Sequence, residues 1–327
     1  MTDLSLPPRG RGAGLRTIDI HAHITDPEVL AATHAHSVFS GFGARPRPSR
    51  PALDAKVNDP AVHLADQIAR RVDVAVLMHS TVHQPTAWAD PATQLRLTRR
   101  MNDVMLGWVG HAPDRFVGSM IPPLADMGMA VAEIERYHAA GLRVIEAPAR
   151  AGEYLGHPSF WPLWEVAQRL ALPVFIHPEG TDDPWFQNYS LWNSLGQSIE
   201  EAKVMASLIY EGTLDRFADA RIVMAHGGGY FPHNMGRVDR NVAKPEAMAN
   251  ISRAPSTYLR RFHYDSCLYD PIALANLVAR VGADRVVLGS DYPFGEADPL
   301  LAVERLPIDD AELALIAHAN MERLLAR

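Results

Sequence analysis

One cysteine, Cys267, and three lysines, Lys56, Lys203 and Lys244, are all that the 327 residues hold of those two types. A lone cysteine excludes an intramolecular disulfide framework and suits a reducing compartment. The net charge of −7 leaves no basic footprint for nucleic acid. No apolar run approaches the ~20 residues of a membrane span. The opening MTDLSLPPRGRGAGLR lacks the apolar core of a signal peptide, and residues 1–15 read as a flexible lead-in. No GxGxxG follows the first apolar run, which counts against a dinucleotide fold. With 47% hydrophobic and 21% charged residues, the composition is that of an ordinary soluble globular protein, expected in the cytoplasm.

What the chain does have is a rhythm. Short, apolar, β-branched runs at 16–21, 72–79, 116–121, 142–147, 172–177, 221–226, 262–267 and 285–290 read as strands. Helical patterns at 61–71, 94–111, 126–140, 159–170, 196–212, 270–281 and 309–325 lie between and after them. Near-continuous apolar strands imply burial on both faces, as in a parallel sheet. Eight such units predict an α/β fold: a single (β/α)8 barrel domain over 1–327, with an open doubly wound sheet as the alternative. Two segments break the rhythm, an insertion at 24–60 after the first strand and a long loop at 178–195 after the fifth. Both belong on the C-terminal side of a barrel, where active-site loops lie. Within the insertion, Arg45-Pro46-Arg47-Pro48-Ser49-Arg50-Pro51 alternates arginine with proline and suggests an extended path.

The first run, Thr17-Ile18-Asp19-Ile20-His21-Ala22-His23, ends in two imidazoles two positions apart. Strand alternation puts both on one face, with Asp19 behind them, where they can grip one divalent ion. His34-Ala35-His36 has the same spacing but no strand before it. The fifth run ends at His177, the sixth at His226 before three glycines, and the eighth at Asp291. Each has an ordinary reading: a core histidine, a glycine-rich turn, a turn cap. Together, in a parallel barrel, they converge on one mouth and fit zinc or a similar divalent ion, with room for water or substrate. His79 and His83 read as surface or pocket rim. No lysine ends a strand, so a two-metal site bridged by a modified lysine is not expected; Glu146, near the end of the fourth strand, could bridge metals in principle, but one metal is the expectation.

DIHAH, VFIHP, AHGGGYFPHNMGRVDR and GADRVVLGSDYPFG carry a resemblance to the amidohydrolase superfamily. More narrowly, the chain from residue 16 onward resembles the branch of α-amino-β-carboxymuconate-ε-semialdehyde decarboxylase and its non-oxidative decarboxylase relatives. The resemblance implies one divalent metal per chain, zinc first and manganese second, held by His21, His23, His177 and Asp291, with His226 as acid/base and Asp291 also catalytic. It implies two arginines on the substrate carboxylate: Arg237, reaching over from a neighbouring subunit, and Arg50 from the insertion. A homodimer and a small carboxylic acid as substrate follow from it.

Trp185, Trp192, Tyr230, Phe231 and Phe294 lie in or beside the strand-end loops and are candidate flat walls for an unsaturated or aromatic acid, with ordinary loop packing as the alternative. Asp265, on the seventh strand, is the reserve acid/base. A metal lowers the pKa of bound water and acts as a Lewis acid, and an imidazole exchanges protons near neutrality. The same groups serve decarboxylation or, alternatively, hydrolysis of a lactone, ester or amide.

Overall fold

The computed structural model describes residues 6–34, 36 and 50–326. Eight strands follow the expected runs: β1 Ile18–Ile24, β2 Val74–His79, β3 Phe116–Met120, β4 Val144–Ala147, β5 Pro173–Ile176, β6 Arg221–Met224, β7 Phe262–Asp265 and β8 Val286–Val287. They pair in parallel and in chain order. The ring closes where the Ile20 amide donates to the Leu288 carbonyl at 2.9 Å and Ala22 bridges Tyr292 in parallel. This is a (β/α)8 barrel, not an open sheet.

Helices follow most strands and start on a repeated signal. Asp59-Pro60, Asp90-Pro91 and Asp270-Pro271 each place an aspartate at the N-cap, where it accepts amide hydrogen bonds, and a proline at the first helical position. An outer core of strand and helix residues, Leu77, Ile145, Trp164, Leu208 and Ile316 among them, surrounds a smaller inner cluster. The inner cluster holds Ile18, Ile20, Val76, Val144, Phe175, Val223 and Val287.

Strict alternation fails in β1. The register with β2 shifts between Asp19 and Ala22, so Ile18 and Ile20 pack in the inner cluster while Ala22 and Ile24 join the outer one. Asp19 therefore does not stand behind the histidines on their face, as alternation predicts. It props the irregularity, accepting the amides of His21 and Ser290 at 3.0 Å each.

Among the described residues, both interrupting segments carry helical structure. The insertion contains helices Pro27–His34 and Pro51–Asn58; Arg45 to Ser49 lie outside the described residues, and Pro51 opens a helix. Lys56 pairs with Asp66 at 2.7 Å and Thr25 donates its amide to Val57 at 2.8 Å, fixing the second helix to the barrel mouth. The 178–195 segment carries a 3-10 stretch, Pro184–Ser190, and a helical turn, Leu191–Ser194. The lead-in is not loose from Arg9 onward. Arg9 binds Asp298 at 2.8 Å, and the Gly10 amide donates to Glu304 at 3.0 Å. Among the described residues no helix is long and apolar enough to cross a membrane.

Candidate active site

His21, His23, His177 and Asp291 offer ligand atoms that all lie within 4.8 Å of one another, at the C-terminal mouth of the barrel. His21 Nε2 and His23 Nε2 are 3.0 Å apart, and Asp291 Oδ1 is 3.0 Å from His23 Nε2 and 3.4 Å from His21 Nε2. Hydrogen bonds behind two of the histidines fix which nitrogens are bare. His21 Nδ1–H donates to Asp265 Oδ2 at 2.7 Å, and His177 Nδ1–H donates to the Pro178 carbonyl at 2.9 Å. Their Nε2 lone pairs therefore converge, together with a carboxylate, on one buried point. Lone pairs so arranged repel unless a cation sits between them, so the donor set fits one divalent ion with nitrogen and oxygen ligands.

Burial, and then the charge of neighbouring imidazoles, pushes His177 well below the ordinary histidine range, and burial likewise lowers His23. Both are thus neutral, as ligands must be. Burial opposes the charge on Asp291, but the imidazoles of His21, His23 and His226 override it and hold the carboxyl well below its usual range.

His226 stands beside this group without joining it. Its ring centre is 4.9 Å from that of His177 and 5.2 Å from that of His21. Its Nδ1 is 2.6 Å from Glu201 Oε1, on the helix Gly196–Tyr210. Burial alone would lower the His226 pKa, but the Glu201 carboxylate raises it to about 9. Glu201 is itself buried, which favours its neutral form, and its Oε2 has no other partner. Gly229 makes room for it: a Cβ there would lie 2.7 Å from Glu201 Oε2. His226 and Asp291 both have left-handed backbones, φ 47° and 56°, a strained conformation that aims side chains into a site.

The mouth opens into a cavity of about 740 Å³. Leu53, Val82, Trp192, Leu195, Tyr230, Leu268 and Phe294 supply its apolar walls; Arg50 is the one arginine or lysine among its described lining residues. Trp185, in contrast, is 58% exposed and is not part of the wall, and Phe231 is buried in the outer core. Arg237 sits exposed on the turn Met235–Asp239 and does not line this chain's cavity.

Other expected candidates fall elsewhere. His79 is not rim but core: it is buried, its Nε2 lies 2.9 Å from the Met101 carbonyl, and burial lowers its pKa to about 4. The side chain of His83 lies outside the described residues. His36 stacks on Trp88 at 4.2 Å. Glu146 stays off the cluster, accepting from the His79 amide at 2.9 Å, Ser119 at 2.9 Å and Gln84 at 2.6 Å. Asp265 is occupied with orienting His21, its Oδ1 taking the amides of Gly227 at 3.1 Å and Cys267 at 3.2 Å.

Two residues escaped sequence reasoning. Glu201 shares a helix face with Met205 and Leu208, both buried; an acid inside an apolar stripe was the available signal. Tyr269, whose hydroxyl donates to Asp291 Oδ2 at 2.5 Å, sits in an irregular loop and gave none.

A profile of the amidohydrolase family matches residues 18–327. The chain is 32% identical over 262 residues to 2-amino-3-carboxymuconate-6-semialdehyde decarboxylase from Dictyostelium discoideum, covering 78% of this chain and 72% of that protein. The crystal structure of 5-carboxyvanillate decarboxylase from Sphingomonas paucimobilis matches with a TM-score of 0.87 at 26% identity, covering 95% of this chain and 99% of that one. A dihydroxybenzoic acid decarboxylase from a Polaromonas species, with bound manganese and the inhibitor 2-nitroresorcinol, shares the fold at a TM-score of 0.81 and 23% identity, over 95% of this chain and 97% of that one. A family match over nearly the whole barrel and a decarboxylase relative of this similarity agree with the donor set at its mouth, and the chain belongs to the amidohydrolase family.

Proposed function

We propose that the protein is a metal-dependent, non-oxidative decarboxylase of a small aromatic or otherwise conjugated carboxylic acid. The observation that carries the reading is the pairing, at one mouth, of a three-histidine, one-carboxylate donor set with a separate proton-carrying dyad, Glu201–His226. The decarboxylase relatives support the reaction class. We assign His21, His23, His177 and Asp291 as ligands to a single ion. Zinc suits three imidazoles and one carboxylate; manganese, which the Polaromonas enzyme carries, is the alternative.

When bound, the divalent ion supplies a Lewis acid that steadies negative charge on the substrate's oxygens. Arg50 offers a planar fork to the substrate carboxylate from the insertion side. The walls formed by Trp192, Phe294, Leu53 and Leu268 hold the flat conjugated system and exclude water. The Glu201 contact keeps a proton on His226 Nδ1, which leaves Nε2 as the nitrogen that exchanges a proton with substrate. In the protonated form, His226 delivers that proton to the carbon bearing the carboxylate. The carbon–carbon bond then breaks, its electron pair restores the conjugated system, and carbon dioxide leaves. His226 regains its proton from water.

The lysine-poor, acidic chain attracts no anion by its overall charge, so local arginines must do so. Arg237 is exposed and does not line its own cavity, which suits a role in the site of a second copy, and we propose a homodimer with shared sites in the cytoplasm. The test is carbon dioxide release from a panel of aromatic and unsaturated acids, run beside lactones, esters and amides. Release from at least one acid, lost on metal removal and restored by zinc or manganese, is expected. Turnover confined to the hydrolytic substrates would overturn the decarboxylase reading.

A further inference from the structure

Asp291 has two oxygens and only one faces the histidines. Oδ1 lies 3.0 Å from His23 Nε2, while Oδ2 accepts the Tyr269 hydroxyl at 2.5 Å. Tyr269 belongs to the loop after β7, Asp291 to the loop after β8, so the bond ties two loops together across the mouth. Reaching it takes unusual backbone on both sides: φ is 58° at Tyr269 and 56° at Asp291, where residues with side chains rarely sit. Gly295 lies against the pair: a Cβ there would meet the Ser290 carbonyl oxygen at 2.1 Å and then the Tyr269 hydroxyl at 2.8 Å. Two residues with left-handed backbone thus meet in one hydrogen bond across the mouth.

We propose that Tyr269 is a positioning residue for the metal-ligating carboxylate: its hydroxyl occupies Oδ2, turns Oδ1 toward the three imidazoles, and thereby tightens the site's hold on its divalent ion. This rests on the reading of the four-residue cluster as a metal site. Tyr269 reaches the ion only through Asp291. Without the hydroxyl the carboxylate is free to rotate about its terminal bond, and part of the binding free energy goes to ordering it. Hydrogen-bond partners of this kind are worth about 10–100-fold in metal affinity. The bond leaves Tyr269's ring in the cavity wall, so a phenylalanine there keeps the wall and removes the hydroxyl, with its bond to Asp291 and its contact with the Cys267 thiol.

The experiment measures zinc and manganese dissociation constants by chelator competition on the full chain, for the unmodified protein, Tyr269→Phe, Tyr269→Leu and Tyr230→Phe. Tyr230 lines the same cavity and, among the described residues, no hydrogen bond joins its hydroxyl to a ligand residue, so it controls for general effects of losing a hydroxyl there. Tyr269→Phe and Tyr269→Leu are expected to weaken both metals roughly 10–100-fold, with thermal midpoints of the metal-free proteins unchanged and the metal-induced rise in midpoint reduced. Tyr230→Phe is expected to match the unmodified protein. Affinity within twofold in Tyr269→Phe, or equal weakening in Tyr230→Phe, overturns the proposal. Failure of the unmodified protein to bind either metal would instead remove the metal reading itself, a distinct outcome.

Discussion

Glu201→Gln is the most informative single change. It keeps the shape of a side chain whose Oε2 nests against Gly229 and removes the charge that faces His226 Nδ1 at 2.6 Å. That charge, working against burial, is the chief reason His226 holds its proton up to about 9; Asp291 and Asp265 contribute less. With the charge gone, burial acts with little opposition, and the imidazole falls to or below its ordinary 6.5. The change of at least ~2.5 units, at ~1.36 kcal/mol each, is roughly 3 kcal/mol, or about 300-fold in the readiness to hold a proton. A divalent ion at the neighbouring ligands opposes protonation in both proteins alike, so the difference between them survives loading. The amide can also donate to Nδ1 and enforce the wrong tautomer. Turnover at pH 7.5 should therefore fall about 10²–10³-fold, near the loss from removing an acid/base outright, while metal content holds. The activity profile should shift to lower pH, with partial recovery as the solution is acidified. The assay is carbon dioxide release against pH, with the His226 ring followed by NMR in metal-free protein. Turnover within threefold of the unmodified enzyme, with an unshifted profile, would refute the assigned role of Glu201.

Asp291→Ala and His177→Ala should each lose most of the metal that copurifies with the protein; full retention in both, by elemental analysis, removes the ligand assignment. His226→Ala should keep its metal and lose roughly two to four orders of magnitude in turnover. Mixing Arg237→Ala with His226→Ala chains should restore part of the activity if sites are shared across a dimer, and no rescue despite proven subunit exchange counts against sharing. Stability of the metal-free protein should decline on both sides of weakly acidic pH. Burial holds His63, His79 and His263 near 4, so below about 6.5 the unfolded chain takes up protons that the fold does not, and stability falls toward pH 4. Burial pushes Glu146 and Glu179 up to about 8, so the fold retains protons that the unfolded chain releases, and stability falls as pH rises through 8. Urea midpoints that rise between pH 7 and 9, or a Glu146→Gln protein with an alkaline decline as steep as before, would contradict this.

The groups proposed to touch the metal were legible in the sequence, and those proposed to orient them were largely not. The reason is geometric. A buried parallel strand is an apolar run, so the polar residue that ends it is conspicuous, and barrel closure brings strand ends together whatever the loops do. His21, His23, His177, His226 and Asp291 could be named that way. Orienting groups come from other elements through tertiary contact, which periodicity does not encode. Glu201 arrives on a helix, Tyr269 on a loop, and Asp265, though at a strand end, turns to His21 rather than to the cavity. Alternation misled in β1 because the irregularity between Asp19 and Ala22 flips the face within one strand. His79 misled because a strand-end histidine can also satisfy itself inward, here on the Met101 carbonyl. These cases share one physical rule: a strand end places a side chain at the mouth, and its hydrogen-bond partners decide whether it serves there. His79, with Nε2 on a carbonyl and a bare Nδ1 that, among the described residues, belongs to no donor cluster, stays in the core. His21, with Nδ1 given to Asp265 and Nε2 left bare, is committed to a cation. His226, with Nδ1 held by an acid, is left free to trade protons, and that difference among three strand-end histidines is the basis for assigning them three different tasks.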